Sequence, residues 1–279
     1  RKRLPYRKPF FRGSNMESNS KSWSDLIRLQ PRAYMAMSIV IIIGFWCLLS
    51  FGRWVNPIYL PSPWAVMKAF VSLQEEGVLV PYTLISLYRV LAGFLVAAAL
   101  AIPLGIVMAT SKRAEAFFEP FIDFVRYLPV TALIPLMILY FGIEDFEKIA
   151  VIFVGTFFQL VLMVKDTVSG VPGELLNAAY TLGTRGTAVY TRVLLPASMP
   201  GIMDNLRICM GWAWTYLVVA ELVAANSGLG FLILRSQRFL QTDRIFAGLL
   251  VIGILGVLTD YLFKALSKML FPWYERLGN

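Results

Sequence analysis

Histidine is absent from the 279 residues, cysteine occurs only twice, and charged side chains make up 15% of the chain. Without histidine there is no Ser–His nucleophilic pair and no His-ligated metal or haem. Cys47 and Cys209 sit in hydrophobic surroundings, where a free thiol behaves as a small apolar group. Neither a disulfide framework nor a Cys/His zinc site is expected. No stretch has the form Gly-x-x-x-x-Gly-Lys-Ser/Thr, so the chain carries no ATP-binding phosphate loop of its own. The shortage of charge is the most restrictive absence. Soluble chains average about 25% charged and roughly 45–50% apolar residues, whereas 58% of this chain is hydrophobic and its mean hydropathy is +0.66. The composition predicts an all-α polytopic membrane protein.

The formal net charge is +9, but the basic residues form no face suited to nucleic acid. Nine of the 26 Lys and Arg fall in the first 32 residues: Arg1, Lys2, Arg3, Arg7, Lys8, Arg12, Lys21, Arg28 and Arg32. Residues 1–32 therefore read as a basic cytoplasmic tail under the positive-inside rule. Within it, Trp23, Leu26, Ile27 and Leu29 suggest a short interfacial helix. The tail does not read as a signal peptide, because its polar region is too long and no small-residue cleavage site follows the first apolar run. The chain begins at Arg1 and not at Met, which reads as a short missing N-terminal piece.

A hydrocarbon core of roughly 30 Å needs about 20 mostly apolar helical residues. Six segments within residues 33–279 qualify. They are Tyr34–Phe51, Thr83–Thr110, Phe121–Phe141, Phe146–Val164, Ile202–Ala225 and Ile245–Leu266. Pro129 and Pro135 interrupt the third, which marks it as a span packed inside the protein near a pathway. Between the first two spans, Leu60-Pro61-Ser62-Pro63 leads into a predicted helix over Trp64–Leu73. Placing the tail inside puts the loop at Lys112 and Arg113, an insert over 166–200 and the C-terminal end inside as well. The acidic loop Gly142–Glu147 then lies outside. Asn226–Arg244 fits that orientation poorly, because it is predicted outside yet carries Arg235, Arg238 and Arg244. A basic outer loop favours an anionic solute or an acidic partner.

The insert is polar and glycine-punctuated. Pro172-Gly173 starts a helix with Glu174 in its first turn, where the helix dipole favours an acid. Leu175, Ala179 and Leu182 fall at i, i+4 and i+7, which predicts an apolar stripe. Gly183 and Gly186 permit bends, and a second short helix over Thr187–Leu194 is predicted to stop ahead of Pro196. On physics alone, a structured loop at the lipid surface and a docking knob are equally good readings of this stretch.

The spacing Ala178-Ala179, Gly183, Val193, Leu195-Pro196 resembles the "EAA loop" of permease subunits of bacterial binding-protein-dependent ABC importers. Asn177 stands where that family usually has Glu, so no salt bridge is expected from this position. Arg126-Tyr127-Leu128-Pro129, Leu133-Ile134-Pro135-Leu136, Phe141-Gly142-Ile143, Leu206-Arg207-Ile208, Gly211-Trp212-Ala213-Trp214, Ala220-Glu221-Leu222 and Gly228-Leu229-Gly230 resemble its nitrate/sulfonate/taurine/bicarbonate branch. The resemblance covers about residues 55–275. It implies a type I importer permease fold with six transmembrane helices in the bacterial inner membrane. Its implied partners are a second copy of the permease, two ATPase subunits that bind ATP and Mg, and an extracytoplasmic solute-binding protein. The chain itself would hold no cofactor and catalyse no reaction. Asn177, Ala178, Ala179, Leu182, Gly183, Thr184 and Arg185 are then the contacts to the ATPase. The implied solute is a small anion; a pyrimidine vitamin precursor, an aromatic carboxylate and a membrane scaffold without transport are the alternatives.

An ionisable or polar residue inside a span is a functional candidate by default. Arg126, Tyr127, Thr131, Gln159, Trp214 and Glu221 are the pathway candidates. Glu221 lies fourteen residues after Arg207, about 21 Å along a helix at about 1.5 Å per residue. It is expected near the outer end, braced by Arg235 or Arg238. Asp260 and Lys264 are expected to pair at i, i+4.

Overall fold

A computed structural model describes residues 31–52 and 54–273. The basic stretch through residue 30, with the expected interfacial helix at Trp23–Leu29, lies outside the described residues, as does Arg276. All regular secondary structure among the described residues is helical. In chain order the helices are α1 (Pro31–Phe51), α2 (Pro63–Glu75), α3 (Leu79–Thr110), α4 (Lys112–Arg126), α5 (Val130–Phe141) and α6 (Asp145–Ser169), followed by α7 (Gly173–Thr181), α8 (Thr187–Val189), α9 (Leu195–Ala224), α10 (Leu229–Arg238) and α11 (Thr242–Leu270).

By length and composition, α3, α6, α11 and the run Thr187–Ala224 are apolar enough to cross a bilayer. The bent pair α4 and α5 passes the same test only when the two helices are taken together as one broken span, and the apolar part of α1, Ala36–Phe51, is shorter than the rest. All six expected segments are thus helical, but the third is not one kinked span. Its two helices meet at 96°. Pro129 caps α5 in extended backbone at ψ 112 and removes a backbone donor, so the helix cannot run through it. Lys112 and Arg113 likewise open α4 instead of forming a loop, because Ser111 leaves the helical region at φ −131 and caps α4 by accepting from the Ala114 amide.

The bundle is built around α3 against α6. Gly93, Ala97, Ala101 and Gly105 recur every four residues along one face of α3, and all four are buried. A Cβ at Gly105 would come within 2.7 Å of the Val161 carbonyl oxygen. Without a hydrophobic drive between helices in lipid, close approach through small residues is the main source of association. The start of α9 joins the far end of α6, where Asn205 donates to the Met163 carbonyl at 2.9 Å and to Thr167 Oγ1 at 2.8 Å. Leu160, Val161, Ile202, Cys209, Met210, Ala213 and Leu217 fill the core between them. Both cysteines are free thiols.

At the opposite end α2 and α10 cover the bundle. Ser62 caps α2 by accepting from the Ala65 amide at 3.2 Å, with Pro63 in the first helical position, where its missing donor costs nothing. Val66, Ala69 and Leu73 of α2 pack with Leu229 and Leu232 of α10 and with Ala247 of α11. Peripheral α1 joins this cap through the Trp46 indole, which donates to the Pro61 carbonyl at 3.0 Å and stacks on Phe246. Ile39 to Ile43 of α1 remain exposed, as expected of a helix that faces lipid.

Candidate functional site

Three features sit in sequence along the run Thr187–Ala224: a projecting insert, a cavity at mid-bundle and a buried charge cluster. The insert begins after Ser169, four residues later than expected, because α6 runs on past Lys165, which pairs with Glu115 and Glu119 of α4, each at 2.8 Å. In α7, Leu176 and Ala179 turn toward the bundle, while Leu175, Asn177, Ala178 and Tyr180 are exposed. The expected stripe of Leu175, Ala179 and Leu182 is therefore split: only Ala179 is buried, and Leu182 is 86% exposed. The helix ends there because Gly183 turns into the left-handed region at φ +85, followed by Gly186 at φ +60. Thr184 is half-buried and Arg185 exposed between them.

The second limb does not stop at Pro196. Tyr190–Leu194 widens to π spacing and passes directly into α9. Pro196 sits at the opening of α9, and its missing N–H falls where the regular i to i−4 pattern is already interrupted. The helical run from Thr187 to Ala224 is 38 residues long, about 57 Å at about 1.5 Å per residue. Val189 and Leu194 are buried at its start, so the projecting limb is rooted in the bundle.

The α4–α5 break opens a cavity of about 480 Å³ between α4, α5, α6 and α9. Arg126, Tyr127, Thr131 and Gln159, four of the six pathway candidates, line it. Trp212, Thr215 and Tyr216 complete the wall from α9. Residues 212 and 216 are one helical turn apart, a spacing that was available in the sequence. The Arg126 guanidinium is not a free charge: it pairs with Asp123 at 2.9 Å, donates to the Tyr127 hydroxyl at 2.9 Å and lies 4.6 Å from that ring. Gly155 sets the cavity's inner wall, because a Cβ there would come within 2.5 Å of the Tyr216 ring.

Trp214 and Glu221 are not part of that wall. Trp214 points the other way, is buried, and its indole reaches Thr259 Oγ1 of α11 at 3.3 Å. Glu221 is fully buried near the end of α9. Its partner is Arg89 of α3, at 2.7 Å, and not Arg235 or Arg238. The reason is the facing of α10: Leu229, Leu232, Ile233 and Ser236 are its buried side, which turns both arginines outward. Ser86 Oγ donates to both Glu221 carboxylate oxygens at 2.8 and 3.0 Å, and the Gly230 amide donates at 2.7 Å. Arg89 also reaches Asp145 at 2.6 Å and the Ser227 carbonyl at 2.8 Å. A Cβ at Gly228 would fall 2.2 Å from the carboxylate, so this turn can close only over glycine. The cluster ties α3, α6, α9 and the α9–α10 turn together at one end of the bundle.

The remaining charges are local. Lys264 pairs with Asp260, as the i, i+4 spacing predicts, and Arg207 reaches the same carboxylate at 3.3 Å. Glu147, expected in the acidic outer loop Gly142–Glu147, is instead in the first turn of α6, buried beside Lys148 at 3.0 Å. No group of acidic, histidine or cysteine side chains that could hold a metal occurs among the described residues.

Comparison with known proteins agrees with this geometry. The family profile for "Binding-protein-dependent transport system inner membrane component" matches residues 101–272. A probable ABC transporter permease protein of Brucella abortus is 40% identical over 249 residues, covering 89% of this chain and 98% of its own. A putative aliphatic sulfonates transport permease protein of Bacillus subtilis is 34% identical over 233 residues, 84% of each chain. Among solved structures, the inward-facing MetNI methionine ABC transporter superposes with a TM-score of 0.63 at 17% identity, covering 70% of this chain and 97% of the matched one.

Proposed function

The chain belongs to the inner membrane components of binding-protein-dependent transport systems, and from this we propose that it forms half of the translocation pathway of an ATP-driven importer for a small anion such as an aliphatic sulfonate or taurine. As a family member it is a multi-pass inner-membrane transport component and not an enzyme. Importers of this family work with an ATPase and a solute-binding protein. In the proposed assembly two copies of the chain enclose the pathway, two ATPase subunits bind ATP and Mg, and the chain holds no cofactor of its own. The aliphatic sulfonates named for the Bacillus subtilis relative support the solute class.

In this reading the insert end faces the cytoplasm. Lys112, Arg113, Arg185, Arg192 and Lys268 gather at that end, as the positive-inside rule favours. The observation that carries the proposal is the continuity of the run from Thr187 to Ala224. One helix bears the second limb of the insert, the cavity wall at Trp212, Thr215 and Tyr216, and Glu221. A displacement imposed at Asn177–Arg185 by a closing ATPase dimer passes through the Gly183–Gly186 turn to Thr187, and from there follows one helical run to the cavity. Arg126, Tyr127, Thr131 and Gln159 then contact solute as the cavity alternates between sides. Trp214 and Glu221 serve as supports for α11 and α10.

Gly183→Val tests the coupling role. A β-branched residue at this positive φ costs about 1–2 kcal/mol and redirects the chain after α7. Permease and ATPase reconstituted in proteoliposomes should keep hydrolysing ATP while solute uptake falls. Uptake and hydrolysis both at wild-type rates would contradict the role.

A further inference from the structure

The basic stretch after α9 is the feature of the sequence that an importer of this kind leaves unexplained. Arg244 is accounted for: its guanidinium meets the Glu76 carboxylate at 2.6 and 3.1 Å. At the same end Lys148 has Glu147, Arg89 has Glu221 and Asp145, and Lys68 lies 5.6 Å from the Trp64 ring. Arg235 and Arg238 are different. Both are exposed on the last turns of α10 and neither makes a direct ion pair or hydrogen bond among the described residues, although Arg235 lies near enough to Glu76 to help hold its carboxyl low.

Two apolar side chains follow them. Phe239 is 67% exposed and Leu240 is 72% exposed. Leu240 also adopts φ +56, closing α10 in the left-handed conformation that usually calls for glycine. The Gln241 amide completes that closure on the Ser236 carbonyl at 2.9 Å. A leucine held there costs backbone energy while most of its side chain stays exposed, its inner edge lining a hollow beside Pro57 and Ile58. Nearby lies a second hollow of about 240 Å³ lined in part by Leu73, Glu76, Arg235, Phe239 and Arg244. The base is rigid, because the Gly228–Gly230 turn is clamped by Glu221.

We propose that Arg235, Arg238, Phe239 and Leu240 form a docking prong for an acidic face of the solute-binding partner. This rests on the importer function, which places the prong on the side from which that partner delivers solute. Two exposed guanidiniums, neither in direct contact with a carboxylate, steer and orient an acidic surface, and the neighbouring aromatic and leucine supply the apolar contact that such interfaces centre on. The acid Glu76 in the same patch favours a protein, which can place its charges individually, over a uniformly anionic lipid surface.

The test uses the full permease–ATPase complex in nanodiscs, with ATP hydrolysis titrated by the solute-loaded binding protein that stimulates the wild type. Arg235→Glu combined with Arg238→Glu should raise the concentration of binding protein for half-maximal stimulation by about tenfold or more, with basal hydrolysis unchanged. The wild type should lose affinity steeply as salt rises, and the double variant should not. Leu240→Gly, which relieves the backbone while deleting the side chain, should weaken docking yet raise thermal stability. Unchanged half-stimulation in the double variant overturns the prong, as does an effect that appears only when anionic lipid is included in the nanodisc. A wild-type complex that no binding protein stimulates overturns the importer function instead, and the prong falls with it.

Discussion

Glu221→Ala is the substitution whose consequence the structure determines most fully. The carboxylate is entirely buried and accepts from Ser86 Oγ, Arg89 and the Gly230 amide, with contacts of 2.7 to 3.0 Å. Removing it strands the Ser86 hydroxyl and the Gly230 N–H, and leaves Arg89 short of one buried partner. Breaking a buried ion pair from one side costs about 3–5 kcal/mol. Arg89 keeps Asp145 at 2.6 Å and the Ser227 carbonyl at 2.8 Å, which places this site at the lower end, about 3 kcal/mol. Glu221→Gln retains the shape and one acceptor and should lose about 1–2 kcal/mol. The assay is thermal denaturation of the purified chain in detergent, with amide exchange followed at Leu229 and Gly230. Both variants should melt below wild type in that order, and exchange at the α9–α10 turn should accelerate before that of α3 or α6. A Glu221→Ala chain that melts with wild type but fails to transport would refute the structural role and return Glu221 to the pathway.

Three further outcomes follow from the geometry. Gly155→Ala puts a Cβ 2.5 Å from the Tyr216 ring; overpacking of this kind costs about 1–3 kcal/mol, and uptake should fall more than ATP hydrolysis as the ring is displaced. Gly105→Leu wedges α3 from α6 at the Val161 carbonyl, 2.7 Å away, and should abolish accumulation of folded protein in the membrane, read by detergent size exclusion. The Arg244 guanidinium holds the Glu76 carboxyl below its ordinary value of 4.5. A depressed folded-state value means the pair's contribution is present above 4.5 and is lost as pH falls through the lower folded value. The difference in melting temperature between wild type and Arg244→Gln should therefore be small at neutral pH, as for any exposed pair, and vanish in acid; a difference that grows in acid would contradict it.

Much of the architecture was legible because lipid imposes length and apolarity on every span. The six apolar segments, the Ser62-Pro63 helix start and the glycine-punctuated insert all follow from local chemistry. The stripe Gly93, Ala97, Ala101, Gly105 was equally readable, at strict four-residue spacing, yet hydropathy alone does not distinguish a lipid-facing alanine from a packed one. The 96° break at Pro129 was visible as an interruption but not as an angle, since a proline fixes one dihedral and its neighbours fix the direction. In the cavity, Arg126, Tyr127, Thr131 and Gln159 were found by polarity within apolar runs. Trp212, Trp214 and Tyr216 stand out together in the sequence, but their i+2 spacing does not say which face the cavity; Trp212 and Tyr216 do, and Trp214 packs on α11. The Arg89–Glu221 pair joins residues 132 apart in sequence, and no local pattern announces such a contact. Arg89 went unnoticed because one arginine near the end of a long span reads as a side chain reaching the interface.

The central claim is that Asn177–Arg185 transmits the work of an ATPase to the helix lining the cavity. A photo-reactive amino acid in place of Leu182, 86% exposed at the tip of the insert, tests it directly in membranes containing the chain and its ATPase. The account predicts a cross-link to the ATPase whose yield changes between nucleotide-free and ATP-bound states, while the same probe at Leu240 yields no ATPase adduct. A Leu182 probe that labels only lipid, or labels the ATPase identically in every nucleotide state, would contradict it.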